Sequence, residues 1–208
     1  QLICNIIQDT ALLNAMGSVP RERFVPDRMQ GKAYADEAIA VGRGVLFPPL
    51  MLANLIELAD VRSGDFVLNT HAGTGYSAAV LAKMATAVVA TEDDEALCEN
   101  AEKIYIDCKI DNVAMFCRSS ESGFSSQAPF DVIFIDGIVP LIPDGLANQL
   151  IEGGRLVAVV AAPDETFGQV VKIVKKDGNL LHTKAFEVDL AVLNRVRTYK
   201  KFVFEGIS

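Results

Sequence analysis

The residues best suited to chemistry lie in the stretch Asn69-Thr70-His71-Ala72-Gly73-Thr74-Gly75-Tyr76. It follows a short apolar run, Phe66-Val67-Leu68, and precedes a helix predicted from about Tyr76 to Met84. Gly73 and Gly75 allow a tight turn and close approach of backbone to a ligand. Glu92 and Asp93 follow the next apolar run, Val88-Val89-Ala90. A carboxylate at that place can accept hydrogen bonds from both hydroxyls of a ribose; Glu92 could equally cap a helix beginning at Asp94. Together the loop and Glu92 predict a nucleoside site. The fingerprint that seats a pyrophosphate is incomplete, because Ala78 stands where its third glycine would be. A phosphate-free nucleoside such as S-adenosylmethionine therefore fits better than a dinucleotide.

Such a site needs a sheet whose strands end together. Short apolar runs at 66–68, 88–90, 113–117, 131–135 and 155–160 alternate with helical patterns over 94–105 and 144–150. Apolar strands between amphipathic helices predict an α/β fold with a doubly wound, mostly parallel, seven-stranded sheet of Rossmann-like form. The spacing of Phe167, Val170, Val171 and Val174 predicts a further helix over 165–176. Segments 181–188 and 198–204 read as an antiparallel closing edge. Before the sheet, helices are expected near 11–16 and 50–59, joined by irregular linkers around Pro20, Pro26, Pro48 and Pro49. The 208 residues suit one domain, with an N-terminal helical segment (1–60), a cofactor-binding core (61–162) and a closing part (163–208).

Composition excludes several classes. Half of the residues are hydrophobic and the formal net charge is -8, an unfavourable balance for binding nucleic acid. No apolar run has the length of a membrane span. Cys4, Cys98, Cys108 and Cys117 show no metal-ligand spacing with His71 or His182, so no metal is expected. Reduced thiols and a cytoplasmic protein are expected. Residues 1–16 lack the charged start and cleavage site of a signal peptide, and a chain that opens at Gln1 rather than Met is expected to lack its true N-terminus.

Several blocks resemble one family. Val19-Pro20-Arg21-Glu22-Arg23-Phe24-Val25-Pro26 is similar to the V-P-R-x-x-F-V-P segment of protein-L-isoaspartate O-methyltransferases. Ala33-Tyr34-Ala35-Asp36 resembles their A-Y-x-D, and Gly42-Arg43-Gly44 their G-H-G. Thr74 to Ala82, Pro129-Phe130-Asp131 and Gly153 to Val157 match later blocks. The resemblance implies methylation of the α-carboxylate of an L-isoaspartyl residue in a peptide or protein. It also implies S-adenosylmethionine as the methyl donor and S-adenosyl-L-homocysteine as the product. It implies cofactor contacts from Asn69, Thr70, His71, Ala72, Gly73, Gly75, Tyr76, Glu92, Asp93, Ser119 and Asp136, and a substrate loop with Arg43, Phe47 and Pro48 as candidates. A monomer or weak dimer is expected.

The pattern departs from the family in three places. Gly44 to Pro49 is one residue shorter than the family's G-x-T-[IV]-S-x-P and lacks its Thr and Ser. Asn69 replaces an acidic residue, and Arg118-Ser119-Ser120 replaces G-D-G. Two further readings follow: a catalytically silent cofactor-binding or interaction protein, and a small-molecule O-methyltransferase with a metal at Asp136. Tyr34 and Asp36 are expected to organise the N-terminal segment.

Overall fold

In the computed structural model, which describes residues 7–194, alternate strand residues face opposite sides of one sheet. Val67, Val88, Val132, Phe134, Val157 and Val159 pack into one buried cluster, whereas Leu68, Val89, Ile133, Ile135, Leu156 and Ala158 pack into another. A sheet buried on both faces explains why its strands read as continuous apolar runs.

The sheet contains β3 (Phe66–Thr70), β4 (Ala87–Glu92), β5 (Val113–Cys117), β6 (Phe130–Val139), β7 (Leu150–Val160), β8 (Phe167–Lys176) and β9 (Asn179–Asp189). Its order is β5-β4-β3-β6-β7-β8-β9. The first five of these strands run parallel, while β8 and β9 are antiparallel to their predecessors. The expected α/β fold with a seven-stranded, mostly parallel sheet is present. The chain passes from β3 outward to β4 and β5, then crosses to β6, so the switch point lies between β3 and β6.

Helices α1 (Thr10–Ser18), α2 (Pro49–Ala59), α3 (Tyr76–Ala82) and α4 (Glu95–Asp107) contribute their buried residues to one cluster. The opposite face is covered by the short α5 (Asp144–Ala147) and by Phe124. A short α6 (Leu190–Asn194) ends the described chain. The caps follow simple chemistry. Asp9 accepts from the backbone N–H groups of Ala11 and Leu12, Asp94 does the same for Ala96 and Leu97, and Pro49 occupies the first turn of α2.

Three expectations are corrected. The helix expected over 165–176 is strand β8. Its β-branched residues Val170, Val171, Ile173 and Val174 favour an extended chain, and Asp177-Gly178 turns it back into β9 with φ of 52° and 74°. Asp-Gly with both residues in the left-handed region is the preferred two-residue hairpin turn. β9 therefore pairs with β8; the segment 198–204, expected beside 181–188, lies outside the described residues. The linker before α2 contains a hairpin, β1 (Ile39–Val41) and β2 (Gly44–Leu46), turning at Gly42-Arg43. Gly42 has φ 52°, and a Cβ there would lie 2.8 Å from Leu97 Cδ1. The hairpin tip thus rests directly on α4. Finally, Cys98 and Cys117 are joined as a disulfide between α4 and β5, where reduced thiols were expected; Cys108 is free.

Candidate active site

The loop after β3, the ends of β4 and β6, and the β1–β2 hairpin enclose a cleft at the switch point. Val41, Arg43, Gly44, Val45 and Leu46 form its roof. His71, Ala72, Gly73, Thr74, Glu92, Asp93, Asp94 and Asp136 form most of the remaining wall. Four carboxyl groups thus face one guanidinium, which suits a cationic ligand better than a phosphate.

The roof is held from below by Arg21, whose side chain is fully buried. Its Nε donates to the Ala33 carbonyl and its Nη2 to the Phe47 carbonyl, both at 2.7 Å. The guanidinium lies 4.7 Å from the centroid of the Tyr76 ring, and Phe24 meets Tyr76 edge-on. The V-P-R-x-x-F block therefore ties the N-terminal segment, the roof and α3 together. Asp36 caps α2 by accepting from Leu50 N–H at 3.0 Å, and Tyr34 donates to Glu22. Both organise this segment.

The glycine loop leaves β3 with three residues of positive φ: His71 at 56°, Gly73 at 55° and Gly75 at 83°. Gly73 N–H donates to Glu92 Oε2 at 2.8 Å. Glu92 Oε1 accepts from the N–H groups of Asp93 and Asp94 at 3.0 and 3.1 Å. Three of the roughly four acceptor positions of the carboxylate are thereby filled, which leaves Oε2 open to one hydroxyl. Glu92 orients the loop as well as facing the cleft, while the cap of α4 is Asp94. Burial, then Asp93, raises the Glu92 pKa.

His71 occupies a backbone conformation that favours glycine. Its Nδ1 lies 3.2 Å from Thr70 Oγ1. Burial lowers its pKa, against opposing pulls from Asp93 and Glu121, and so keeps the ring neutral near pH 7.

The other expected residues separate into layers. Asn69 and Thr70 are buried beneath the cleft. Gly75 faces α4: a Cβ there would lie 2.2 Å from Tyr105 Oη, which donates to the Gly75 carbonyl at 2.9 Å. Tyr76 is an internal anchor. Phe47 is fully buried and Pro48 is buried outside the cleft, so of the three substrate-loop candidates only Arg43, exposed on the roof, faces it. Ser119 is exposed and does not line the cleft; its neighbour Ser120 is buried and donates to the Thr91 carbonyl. Arg118 packs over Phe124, 4.5 Å from the ring centroid.

Thr74 was expected only as part of the loop and Ser77 only as part of a family block, with no role for either side chain. Thr74 Oγ1 is buried at the cleft without a hydrogen-bond partner, as is Asp136 Oδ1. Ser77 lies between Asn69 and Asp136, within hydrogen-bonding distance of both. Burial pushes the Asp136 pKa up to about 7, despite the Ser77 hydroxyl and Arg21. Among the described residues, no group of three or more His, Cys, Asp or Glu could hold a metal, and no helix is long and apolar enough to cross a membrane.

A parallel sheet with this switch-point cleft, a carboxylate after the second strand and a glycine loop without a phosphate cradle defines a class I S-adenosylmethionine-dependent methyltransferase fold. The family model for protein-L-isoaspartate(D-aspartate) O-methyltransferase matches residues 2–193, and the chain belongs to that family. A protein-L-isoaspartate O-methyltransferase of Methylorubrum extorquens is 40% identical over 164 residues, covering 78% of this chain and 72% of the relative. One from Koribacter versatilis is 36% identical over 179 residues, covering 86% and 80%. Among solved structures, a protein-L-isoaspartate O-methyltransferase superposes with a TM-score of 0.76 at 26% identity, covering 86% of this chain and 59% of that longer one. A Plasmodium falciparum structure in complex with S-adenosyl-L-homocysteine gives a TM-score of 0.74 at 21% identity, covering 87% and 88%.

Proposed function

We propose that the protein transfers the methyl group of S-adenosylmethionine to the α-carboxylate of L-isoaspartyl residues in peptides or damaged proteins. The observation that carries this reading is the acidic cleft, set within a chain of this family and bearing two orphaned polar atoms, Thr74 Oγ1 and Asp136 Oδ1. A ligand with a cationic end and hydroxyl groups would satisfy both the charge and the orphans.

When bound, the cofactor supplies a methyl group on a positively charged sulfur. The residues His71 to Thr74 and Glu92 hold and orient it, with the open position of Glu92 Oε2 taking a ribose hydroxyl. Arg43 on the roof attracts the substrate carboxylate. That carboxylate is already ionised near pH 7, so methyl transfer needs no general base. Its rate depends on aligning the attacking oxygen. A monomer or weak dimer completes the reading.

A second reading, cofactor binding without turnover, is favoured by one feature. The segment Gly44 to Pro49 carries no hydroxyl, and Arg21 fixes its Phe47 carbonyl inward. Labelled S-adenosylmethionine and an isoaspartyl peptide, run beside the same peptide with ordinary aspartate, separate the two. We expect a base-labile methyl ester on the isoaspartyl peptide alone. Binding of S-adenosylhomocysteine without methyl transfer would instead establish the silent reading.

A further inference from the structure

The contacts of Ser77 cannot all be made if Asp136 is ionised. Ser77 is fully buried and its hydroxyl carries one proton. It lies 3.0 Å from Asn69 Oδ1 and within hydrogen-bonding distance of Asp136 Oδ2. The orientation of Asn69 is fixed, because its Nδ2 donates to the Phe134 carbonyl at 3.2 Å and that oxygen can only accept. The single Ser77 proton has two acceptors: an ionised Asp136 can take it only by leaving Asn69 Oδ1 unpaired, whereas a protonated Asp136 can donate to Ser77 while Ser77 donates to Asn69. The run Asp136–Ser77–Asn69–Phe134 is satisfied in full only when Asp136 carries a proton. The same conclusion follows from the other oxygen. Asp136 Oδ1 is buried with no donor, and Asp136 forms no salt bridge among the described residues. A buried carboxylate with one oxygen lacking any donor is costly to ionise.

Resting on the cofactor reading above, we propose that Asp136 binds the α-ammonium of the cofactor's methionyl end and releases its proton to solvent when that cation arrives. Asp136 stands across the Ser77 hydroxyl from Asn69, the position at which the family's usual acidic residue is missing. One carboxyl is absent on β3 and another is present on β6, at the same buried hydroxyl and on the cleft wall. The proton balance is simple: the neutral acid and the ligand ammonium become a carboxylate–ammonium pair, and one proton goes to water.

Arg21 beneath the roof opposes protonation of Asp136, and Glu92 at the end of β4 favours it. Tyr105 on α4 has its own pKa raised, first by burial and then by Asp136, and stays neutral. His71 is neutral near pH 7, and its Cβ lies 3.5 Å from a Cβ built at Gly137. Asp93, Asp94 and Arg43 line the same cleft farther along its wall and roof. The resting value of about 7 puts the proton release in a range open to measurement.

Calorimetric titration of the full chain with S-adenosylhomocysteine, in buffers of different ionisation enthalpy between pH 6 and 8, tests the proposal. We expect about 0.9 proton released per ligand at pH 6, falling to about 0.1 at pH 8, with Kd about tenfold lower at pH 8. Asp136→Asn keeps a donor for Ser77. It should abolish the proton release, flatten the pH profile and raise Kd at least about tenfold at pH 8. Its affinity for 5′-methylthioadenosine, which has no amino-acid end, should match that of the unaltered protein. Equal loss for both ligands, or proton release unchanged in the variant, would overturn the assignment. So would a loss confined to S-adenosylmethionine, which would point to the sulfonium. If the unaltered protein bound none of these ligands, the cofactor reading itself would fail, a result distinct from the others.

Discussion

Gly75 has two competing explanations with opposite consequences. As a ligand-approach glycine, it would leave the empty protein's stability near normal when replaced and would weaken cofactor binding. The structure assigns it to packing. At φ 83°, Ala pays a left-handed penalty of about 1 kcal/mol. Its Cβ would lie 2.2 Å from Tyr105 Oη and 2.9 Å from both Tyr105 Cζ and Ala101 Cβ. The tyrosine must move, losing its bond to the Gly75 carbonyl inside a buried contact. Breaking that bond costs about 1–3 kcal/mol more, so Gly75→Ala should destabilise the ligand-free protein by about 2–4 kcal/mol. The chain has no tryptophan, so urea unfolding followed by far-ultraviolet circular dichroism is the suitable assay. In a Tyr105→Phe background the nearest clash and the hydrogen bond are already gone. There the same change should cost about 1–3 kcal/mol less. A Gly75→Ala loss below about 0.5 kcal/mol, or an unchanged cost in the Tyr105→Phe background, would refute the packing account.

Two further perturbations probe the supports of the cleft. Arg21→Lys removes the planar fork that spans the Ala33 and Phe47 carbonyls and should cost about 2–4 kcal/mol; urea unfolding within about 0.5 kcal/mol of the parent would contradict that role. Asp136, with its pKa raised from 3.8 to about 7 in the fold, favours the native state while protonated. That contribution is complete below about pH 4 and disappears as pH rises through about 7, with an upper bound of about 4 kcal/mol. Asp136→Asn should therefore gain on the parent in ligand-free unfolding between pH 5 and pH 8, and a constant difference across that range would show that Asp136 does not titrate there.

Much of the sheet was legible because strands buried on both faces leave continuous apolar runs, as in Ile133-Phe134-Ile135 and Leu156 to Val160. β8 was misread because Phe167, Val170, Val171 and Val174 also fall at helical spacing. The better local signals were its β-branched residues and the Asp177-Gly178 turn. The hairpin over the cleft was missed because β1 and β2 are three residues each, too short to establish a period. At the site, the glycine loop and Glu92 were visible as residue types. The division of labour was not: Gly75 and Tyr76 face inward, Arg21 carries the roof, and Phe47 belongs to the core. Those roles depend on contacts between distant segments, such as Arg21 with Phe47. The protonation demanded by Ser77 follows from three side chains on β3, α3 and β6, and no local pattern announces such a meeting.

The central claim is repair chemistry at an isoaspartyl carboxylate. Its most direct test follows one isoaspartyl peptide by chromatography and mass spectrometry in the presence of the protein, with and without S-adenosylmethionine. The account predicts cofactor-dependent loss of that peptide and appearance of its methyl ester, then of succinimide and ordinary aspartyl forms. An isoaspartyl peptide that stays unchanged while S-adenosylhomocysteine binds would contradict it.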